Sequence, residues 1–253
     1  MRTTQIELQG DAPAAARTAP LELSVVIPAY NEALNVPQVI RDSLATLAQA
    51  GRVDTTELLL INDGSSDGTR EVCDRLAVEH PTVRVIHHGR NRGMGAGLLT
   101  GFTNARGRFV TFIPGDGEFK IDQSLALLEA ANDAPLVLSD RQVPPEIAKQ
   151  IRPPHREVLT LGYQILASLI LGVDSRGARG LYLFRRDLLD EVELRTGEMH
   201  WEFYLHCRGA GRPVHRIHTV ASPRLSGVSK VSNLRGVMRS LRDLIRVRLG
   251  RAR

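Results

Sequence analysis

A doubly wound α/β sheet is the fold class that this sequence predicts, on three observations. Short apolar runs without polar alternation recur along the first 140 residues, helix-length segments with apolar residues three and four apart separate them, and Gly- and Asp-rich turns follow the runs. Strands buried on both faces of a parallel sheet read in this way, because the crossover helices cover both sides.

The first run, residues 23–27 (Leu-Ser-Val-Val-Ile), stops at Pro28, which has no N–H to give a ladder. Val36, Val39, Ile40, Leu44 and Leu47 then define one helical face. Runs at 57–61, 83–87, 109–113 and 136–139 predict four further strands. Between them Val72 and Leu76, then Leu98, Leu99 and Phe102, then Leu125, Leu127 and Leu128 mark helices. The alternation loosens after about residue 145, where helices are expected over 156–171 and 199–208 and strands over 181–184 and 214–220. The chain divides into a mobile lead (1–20), one catalytic-size domain (21–232, with a junction near 141–142) and a basic C-terminal helix (233–253).

At 253 residues, 42% hydrophobic and 24% charged, the chain is long enough for a full core, which excludes disorder as the whole answer. Aromatics at 4% exclude a protein built on base-stacking platforms, so nucleic acid is not the expected partner. Two cysteines, Cys73 and Cys207, are too few for a disulfide framework or a four-thiolate zinc site and read as small core residues. No apolar run precedes Leu21, and the longest apolar stretch, 165–173, is shorter than a bilayer span, so a cytoplasmic protein, soluble or peripheral, is expected. The formal +5 is unevenly spread: residues 224–253 hold nine Lys or Arg against Asp243 alone, leaving 24 basic against 27 acidic residues before them.

In doubly wound sheets ligands bind at the carboxyl ends of the strands, so the loops after the first four strands carry the functional expectation. The first is Pro28-Ala29-Tyr30-Asn31-Glu32, in which Tyr30 can stack on a base and Glu32 or Asn31 can fix a polar edge. The second, residues 62–69 (Asn-Asp-Gly-Ser-Ser-Asp-Gly-Thr), puts an acid at the strand end and a helix cap at Ser66 or Asp67. The third, residues 91–97 (Asn-Arg-Gly-Met-Gly-Ala-Gly), opens a helix with bare amides that can receive phosphate, at a spacing that does not fit a dinucleotide fingerprint. The fourth, residues 114–119 (Pro-Gly-Asp-Gly-Glu-Phe), sets a carboxylate between glycines, a place for Mg²⁺ or Mn²⁺ against a diphosphate. His87 and His88 at the third strand end read as packing or surface histidines rather than metal ligands.

These four loops, in this order and spacing, resemble family 2 glycosyltransferases, most of all the dolichyl- or polyprenyl-phosphate sugar transferases; the resemblance covers about residues 22–232. It implies a GT-A fold that binds a nucleotide diphosphate sugar, with Pro28, Tyr30, Glu32 and Asp63 at the base, and Asn91 and Gly93 in the same donor site. It further implies that Asp116 holds the metal, aided by Glu118, and that Arg141, in Ser139-Asp140-Arg141 where relatives carry Gly-Ser-Arg, contacts phosphate. The sequence departs from the family's Asp-x-Asp at Pro114, and Glu118 stands where relatives often have Gln.

On the acceptor side, residues 224–230 (Arg-Leu-Ser-Gly-Val-Ser-Lys) resemble the family's terminal Ser-Lys segment, which makes Arg224, Ser229 and Lys230 the candidates for a lipid phosphate. A phosphate acceptor is already anionic and needs positioning, whereas a hydroxyl acceptor needs a base, for which Glu202 is the candidate. The expected activity is therefore inverting transfer of a sugar to a polyprenyl phosphate or similar lipid-linked acceptor. The alternatives are transfer to a soluble hydroxyl acceptor and a non-catalytic nucleotide-binding homologue, the latter resting on Pro114. In the tail, Val237, Leu241, Leu244 and Ile245 fall on one helical face beside arginines, the pattern of a helix lying in an anionic membrane surface or packed on its own domain.

Overall fold

The structure, a computed structural model, describes residues 20–142, 154–173, 180–220 and 234–250. In chain order the elements are β1 (Leu23–Ala29), α1 (Val36–Gln49), β2 (Thr56–Asn62), α2 (Thr69–Glu79), β3 (Val83–His87), α3 (Met94–Asn104), β4 (Phe109–Phe112), α4 (Ile121–Glu129) and β5 (Leu136–Gln142). They continue with α5 (Pro154–Leu171), β6 (Tyr182–Arg185), α6 (Leu188–Glu191), α7 (Met199–Gly209), β7 (Val214–Val220) and α8 (Leu234–Gly250). The strands make one mixed sheet in the order β3-β2-β1-β4-β6-β5-β7. All pairings are parallel except the two made by β6, which runs against β4 and β5.

This topology sets the site. Because β6 reverses direction between β4 and β5, β5 and β7 again run the way of β1 to β4, and six strands deliver their carboxyl ends to one edge. The expected parallel alternation thus holds through β4, and the looser second half contains the reversal.

β1 outruns its expected end by two residues: Pro28 and Ala29 pair with Ile61 and Asn62 of β2. Pro28 is tolerated because its missing N–H faces the β4 side, where strand pairing has already ended at Val26 and Phe112. Its carbonyl on that side accepts Gly115 N–H at 3.1 Å, which ties the loop after β4 to the end of β1.

The main core is aliphatic at β1 and β2, where every residue is buried, and turns aromatic where α3, β6 and α7 meet. Phe184 sits edge-on to Phe102 at 5.0 Å between centroids and stacks on Phe203 at 4.3 Å. At the opposite edge of the sheet the buried Glu57 carboxylate accepts from Ser24 Oγ (2.6 Å), Arg84 Nη1 (2.7 Å) and Arg106 N (2.6 Å), which satisfies a charge that would otherwise be costly inside a strand. Both cysteines are buried and unpaired, and burial pushes the Cys73 thiol up to about 12, consistent with packing residues.

A second, smaller core joins Tyr163, Ala167 and Leu171 of α5, Trp201 and Leu205 of α7, and Leu244 and Val247 of α8. Of the two places open to the tail helix, its own domain takes Leu244, which is fully buried.

Candidate active site

Four strand-end loops are laced into one rim. Asn31, whose φ of 55° lies in the left-handed region that asparagine tolerates, donates its N–H to Ser65 Oγ at 3.0 Å and accepts Ser66 N–H on Oδ1 at 2.9 Å. Glu32 N–H donates to Thr69 Oγ1 at 2.9 Å, and Asn35 Nδ2 holds the Glu32 carboxylate at 2.6 Å. These bonds join the loop after β1 to the loop after β2. Tyr30, at the start of the first of these loops, is half-buried.

The second loop is fused to the third at Gly64. Its φ is +64°, and a Cβ there would lie 2.2 Å from the carbonyl carbon of Arg90, so only glycine fits. Asp63 completes the joint and is 4% exposed. Its Oδ1 accepts Arg92 N–H at 3.0 Å and His88 Nδ1–H at 2.6 Å, and its Oδ2 accepts Gly93 N–H at 2.8 Å. His88 Nε2 is in turn set by Thr100 Oγ1 at 2.9 Å.

The amides of Arg92 and Gly93, offered to phosphate by the sequence reading, therefore point inward to Asp63. A buried carboxylate requires donors, and these amides are adjacent. The first-turn amides of α3 that remain beyond them are those of Met94, Gly95 and Ala96, since Gly97 N–H already bonds Gly93 O. Asn91 lies exposed on the same loop. The cap of α2 also differs in detail from its expected form: the capping position is Gly68, and Asp67 Oδ1 receives Thr69 N–H at 3.0 Å. Burial alone would raise the Asp67 carboxyl, but bonds from the Thr69 hydroxyl and amide and the Ala33 amide hold it below the usual range.

The fourth loop brings the acids. Asp116 is partly exposed at the β4 end, its Oδ1 accepts Glu118 N–H at 3.0 Å, and Glu118 is buried behind it. No group of three or more His, Cys, Asp or Glu side chains suited to a metal occurs among the described residues. Two carboxylates two residues apart on one loop are nevertheless hard-oxygen donors of the kind that suits Mg²⁺ or Mn²⁺ sharing phosphate oxygens and water. Pro114 starts this loop, and its carbonyl takes Gly117 N–H at 3.4 Å, a turn that leaves Asp116 alone in the motif.

In the second half of the domain, β5 carries Ser139, Asp140 and Arg141 to the same edge, where Arg141 pairs in register with Thr219 of β7. Asp140 Oδ1 is buried without a hydrogen bond, with Arg216 Nη1 at 3.9 Å. β7 ends on this edge at Val220, and the Arg224, Ser229 and Lys230 expectation lies outside the described residues.

Glu202 is placed elsewhere. Its Oε1 accepts Arg195 N–H at 2.9 Å, and it lines a cavity of about 470 Å³ with Arg195, Leu205, Arg246 and Val247, to which none of the four strand-end loops contributes. Burial raises its carboxyl, opposed by the Arg195 and Thr196 amides and the Thr196 hydroxyl. The acid nearer the rim is Glu198, which sequence reasoning passed over. Its Oε2 accepts Tyr163 Oη–H at 2.9 Å, and the preceding Gly197 meets Gly95 of the third loop, with 3.3 Å from the Gly197 Cα to the point where a Gly95 Cβ would stand. A separate cavity of about 820 Å³ at the opposite sheet edge is lined by Arg106, Arg108, Arg185 and Arg186 and shares no residue with the rim.

The fold and the rim define a GT-A glycosyltransferase domain. The model described as "Glycosyl transferase family 2" matches residues 24–193, and the chain belongs to that family. Among its relatives, the polyprenol monophosphomannose synthase of Mycolicibacterium smegmatis is 30% identical over 262 residues, with 96% of this chain and 94% of that protein covered. The glycosyltransferase AglD of Haloferax volcanii is 30% identical over 233 residues, 89% of this chain; the chain spans 37% of AglD and 45% of the dolichyl-phosphate beta-glucosyltransferase ALG5C of Trichomonas vaginalis. Two solved structures share the fold. Mannosyl-3-phosphoglycerate synthase from Rubrobacter xylanophilus has a TM-score of 0.65 at 19% identity, covering 91% of this chain and 74% of that one. Glucosyl-3-phosphoglycerate synthase from Mycobacterium tuberculosis, in complex with Mn²⁺, UDP and glucosyl-3-phosphoglycerate, has a TM-score of 0.63 at 19% identity, covering 91% and 80%.

Proposed function

We propose that this protein transfers a sugar, with inversion, from a nucleotide diphosphate sugar to the phosphate of a polyprenyl phosphate or similar lipid acceptor. The observation that carries the reading is the single rim that joins Tyr30, Glu32 and Asp63 to Asp116 through direct hydrogen bonds between loops. Relatives named for polyprenyl and dolichyl phosphates support the acceptor class.

In this reading Tyr30 stacks on the base. Asp63 has a lone pair on Oδ2 beyond the one used by Gly93, and it accepts the base's ring N–H while fixing the third loop. Asp116, with Glu118, holds Mg²⁺ or Mn²⁺, which when bound neutralises the diphosphate charge that grows as the leaving group departs. Arg141 adds a phosphate contact, and Arg224, Ser229 and Lys230 hold the acceptor phosphate. An acceptor oxygen attacks the anomeric carbon, the bond from that carbon to the diphosphate oxygen breaks, and a nucleoside diphosphate leaves. No base is required, because the acceptor is ionised at neutral pH. The enzyme works at the cytoplasmic membrane face as a peripheral protein; among the described residues no helix is long and apolar enough to cross a membrane.

The test is a mass-spectrometric assay of the full chain with UDP- and GDP-sugars, a polyprenyl phosphate and Mg²⁺ or Mn²⁺. Expected products are a glycosyl phosphopolyprenol and the nucleoside diphosphate, with loss of roughly a hundredfold or more in Asp116→Ala. Undiminished metal-dependent transfer by Asp116→Ala would refute the metal assignment. Glycosylation of a hydroxyl acceptor, dependent on Glu202 and absent with polyprenyl phosphate, would overturn the acceptor class.

A further inference from the structure

We propose that the cavity at the amino ends of β1 and β4 is a binding site for a small ligand carrying a di- or triphosphate group, separate from the donor rim and independent of the proposed transfer. Two strand ends build it. Gly107 brings the start of β4 against β1, where a Cβ would stand 2.6 Å from the Leu23 carbonyl carbon, and Arg108 N–H bonds Leu21 O at 3.0 Å. From the other side, Arg186 N–H bonds Arg108 O at 2.9 Å, one residue outside the register pair of Phe109 with Arg185. Arg108 and Arg186 therefore stand at facing positions, and Arg106 and Arg185 line the same space of about 820 Å³.

Like charges at facing positions destabilise a pair of strands unless something neutralises them. The acids of the cavity do not. Asp187 takes Arg185 Nε on both oxygens, at 2.9 and 2.8 Å, and among the described residues neither Arg108 nor Arg186 forms an ion pair. With Asp190 counted, four arginines meet two acids, a surplus of two positive charges. That surplus sits in an acidic domain, since residues 1–223 hold 24 basic against 27 acidic residues. Arg108 is also held in place, its guanidinium carbon 5.2 Å from the centroid of the buried Phe109 ring. Facing guanidinium forks, one of them preset on a ring, match adjacent phosphates, whereas a lone carboxylate would leave one of them unmatched. A cavity selects a small ligand, and the acidic remainder of the domain repels a long polyanion such as nucleic acid. Leu21, Phe102 and Leu189 give the space an apolar side for an organic group beyond the phosphates. Thr103, near the carboxyl end of α3, lines the cavity, while the other end of α3 carries the third loop of the rim, so this ligand and the donor use different contacts.

The experiment is titration calorimetry of the full chain with inorganic pyrophosphate, tripolyphosphate and UDP, in EDTA and at low salt. One site for pyrophosphate is expected. The Arg108→Gln/Arg186→Gln double variant should weaken it roughly tenfold or more, whereas Arg75→Gln, at an exposed position on α2, should leave it unchanged. The double variant removes a repulsion, so without pyrophosphate its Tm should equal or exceed that of the wild type. With pyrophosphate at about a hundred times its Kd, the wild-type Tm should rise by roughly 5–10 °C and that of the double variant should stay in place. A UDP affinity above that of pyrophosphate, lost in the double variant, identifies a nucleotide as the ligand, and equal affinities identify the polyphosphate alone; both support the site. Should the double variant fail to fold, Arg186→Gln alone carries the same expectation with a several-fold loss. Absence of binding by all three probes, undiminished binding in the folded variants, or equal weakening in Arg75→Gln overturns the proposal. A wild type that binds pyrophosphate here and shows no sugar transfer would sink the proposed activity and leave this site standing.

Discussion

Asp63 illustrates how one side chain can hold a loop joint and still stand in the donor site of the proposed function. With 4% exposure it accepts two part-buried loop amides and the buried His88, so its removal leaves three donors without their partner. Asp63→Ala should cost about 3 kcal/mol, a fall in Tm of roughly 6–12 °C for a domain of this size, while Asp63→Asn should cost less because its oxygen still accepts amides. A melting curve of Asp63→Ala superimposable on the wild type would show that the loop joint is not held here. Glu202 behaves in the opposite way. Burial raises its carboxyl above the usual range, so the folded state keeps this proton more tightly than the unfolded state does. The contribution is present at pH below the unfolded value of about 4.3 and is lost as pH rises through the folded one. Glu202→Gln, neutral throughout and still able to accept Arg195 N–H, should equal or exceed the wild type in Tm at pH 7 and lose that advantage at pH 4. Thermal melts at the two values decide it, and a wild type that gains on the variant towards pH 7 would mean the ionised form is the stabilised one.

At the scale of elements, close approach fixes the rim. Gly101 of α3 lies so near β1 that a Cβ would stand 2.2 Å from Val26 Cγ1, and Phe102 beside it anchors the aromatic cluster. Gly101→Ala should push α3, and with it the third loop, away from the sheet, at about 1–3 kcal/mol and with weakened donor binding; titration calorimetry with a nucleoside diphosphate and Mn²⁺ measures the second effect, and unaltered affinity would contradict the coupling. These elements were legible because periodicity reports burial: the five strands through Leu136 and the helices between them stand within a few residues of their expected bounds. Partners were less legible. Nothing local in 91–97 says that two of its amides turn to Asp63, since that pairing spans about 30 residues and depends on β3 lying beside β2. His88 was readable as a packing residue, but its bond to Asp63 was not. Glu198 escaped notice because its proximity to the rim arises only from Gly197 meeting Gly95. The direction of β6 was equally hidden, since four apolar residues look alike in either orientation.

For the whole molecule, the charge asymmetry and the second core lead to one consequence. Residues 224–253 carry nine basic residues against one acid, and on sequence alone the helix among them could lie in a membrane surface or pack on its own domain. The fold gives it a place in the domain: α8 supplies Leu244 and Val247 to a core shared with Trp201 and Leu205 of α7, and α7 is stacked through Phe203 on Phe184 in the sheet. Removing residues 234–253 would strip cover from Trp201 and Tyr163, and Tyr163 in turn holds Glu198 beside the rim. The truncated chain should therefore melt earlier, bind a hydrophobic dye and lose transfer, and its loss of vesicle binding would not by itself reveal a membrane contact. Leu244→Ala tests the core role from within, because it deletes core volume at about 2–4 kcal/mol while leaving the rest of α8 in place. Its Tm should fall by roughly 4–16 °C, read in a thermal melt beside the wild type. A truncated chain with the melting temperature of the full one would instead establish α8 as an appendage, and the second half of the domain would have to be stabilised without it.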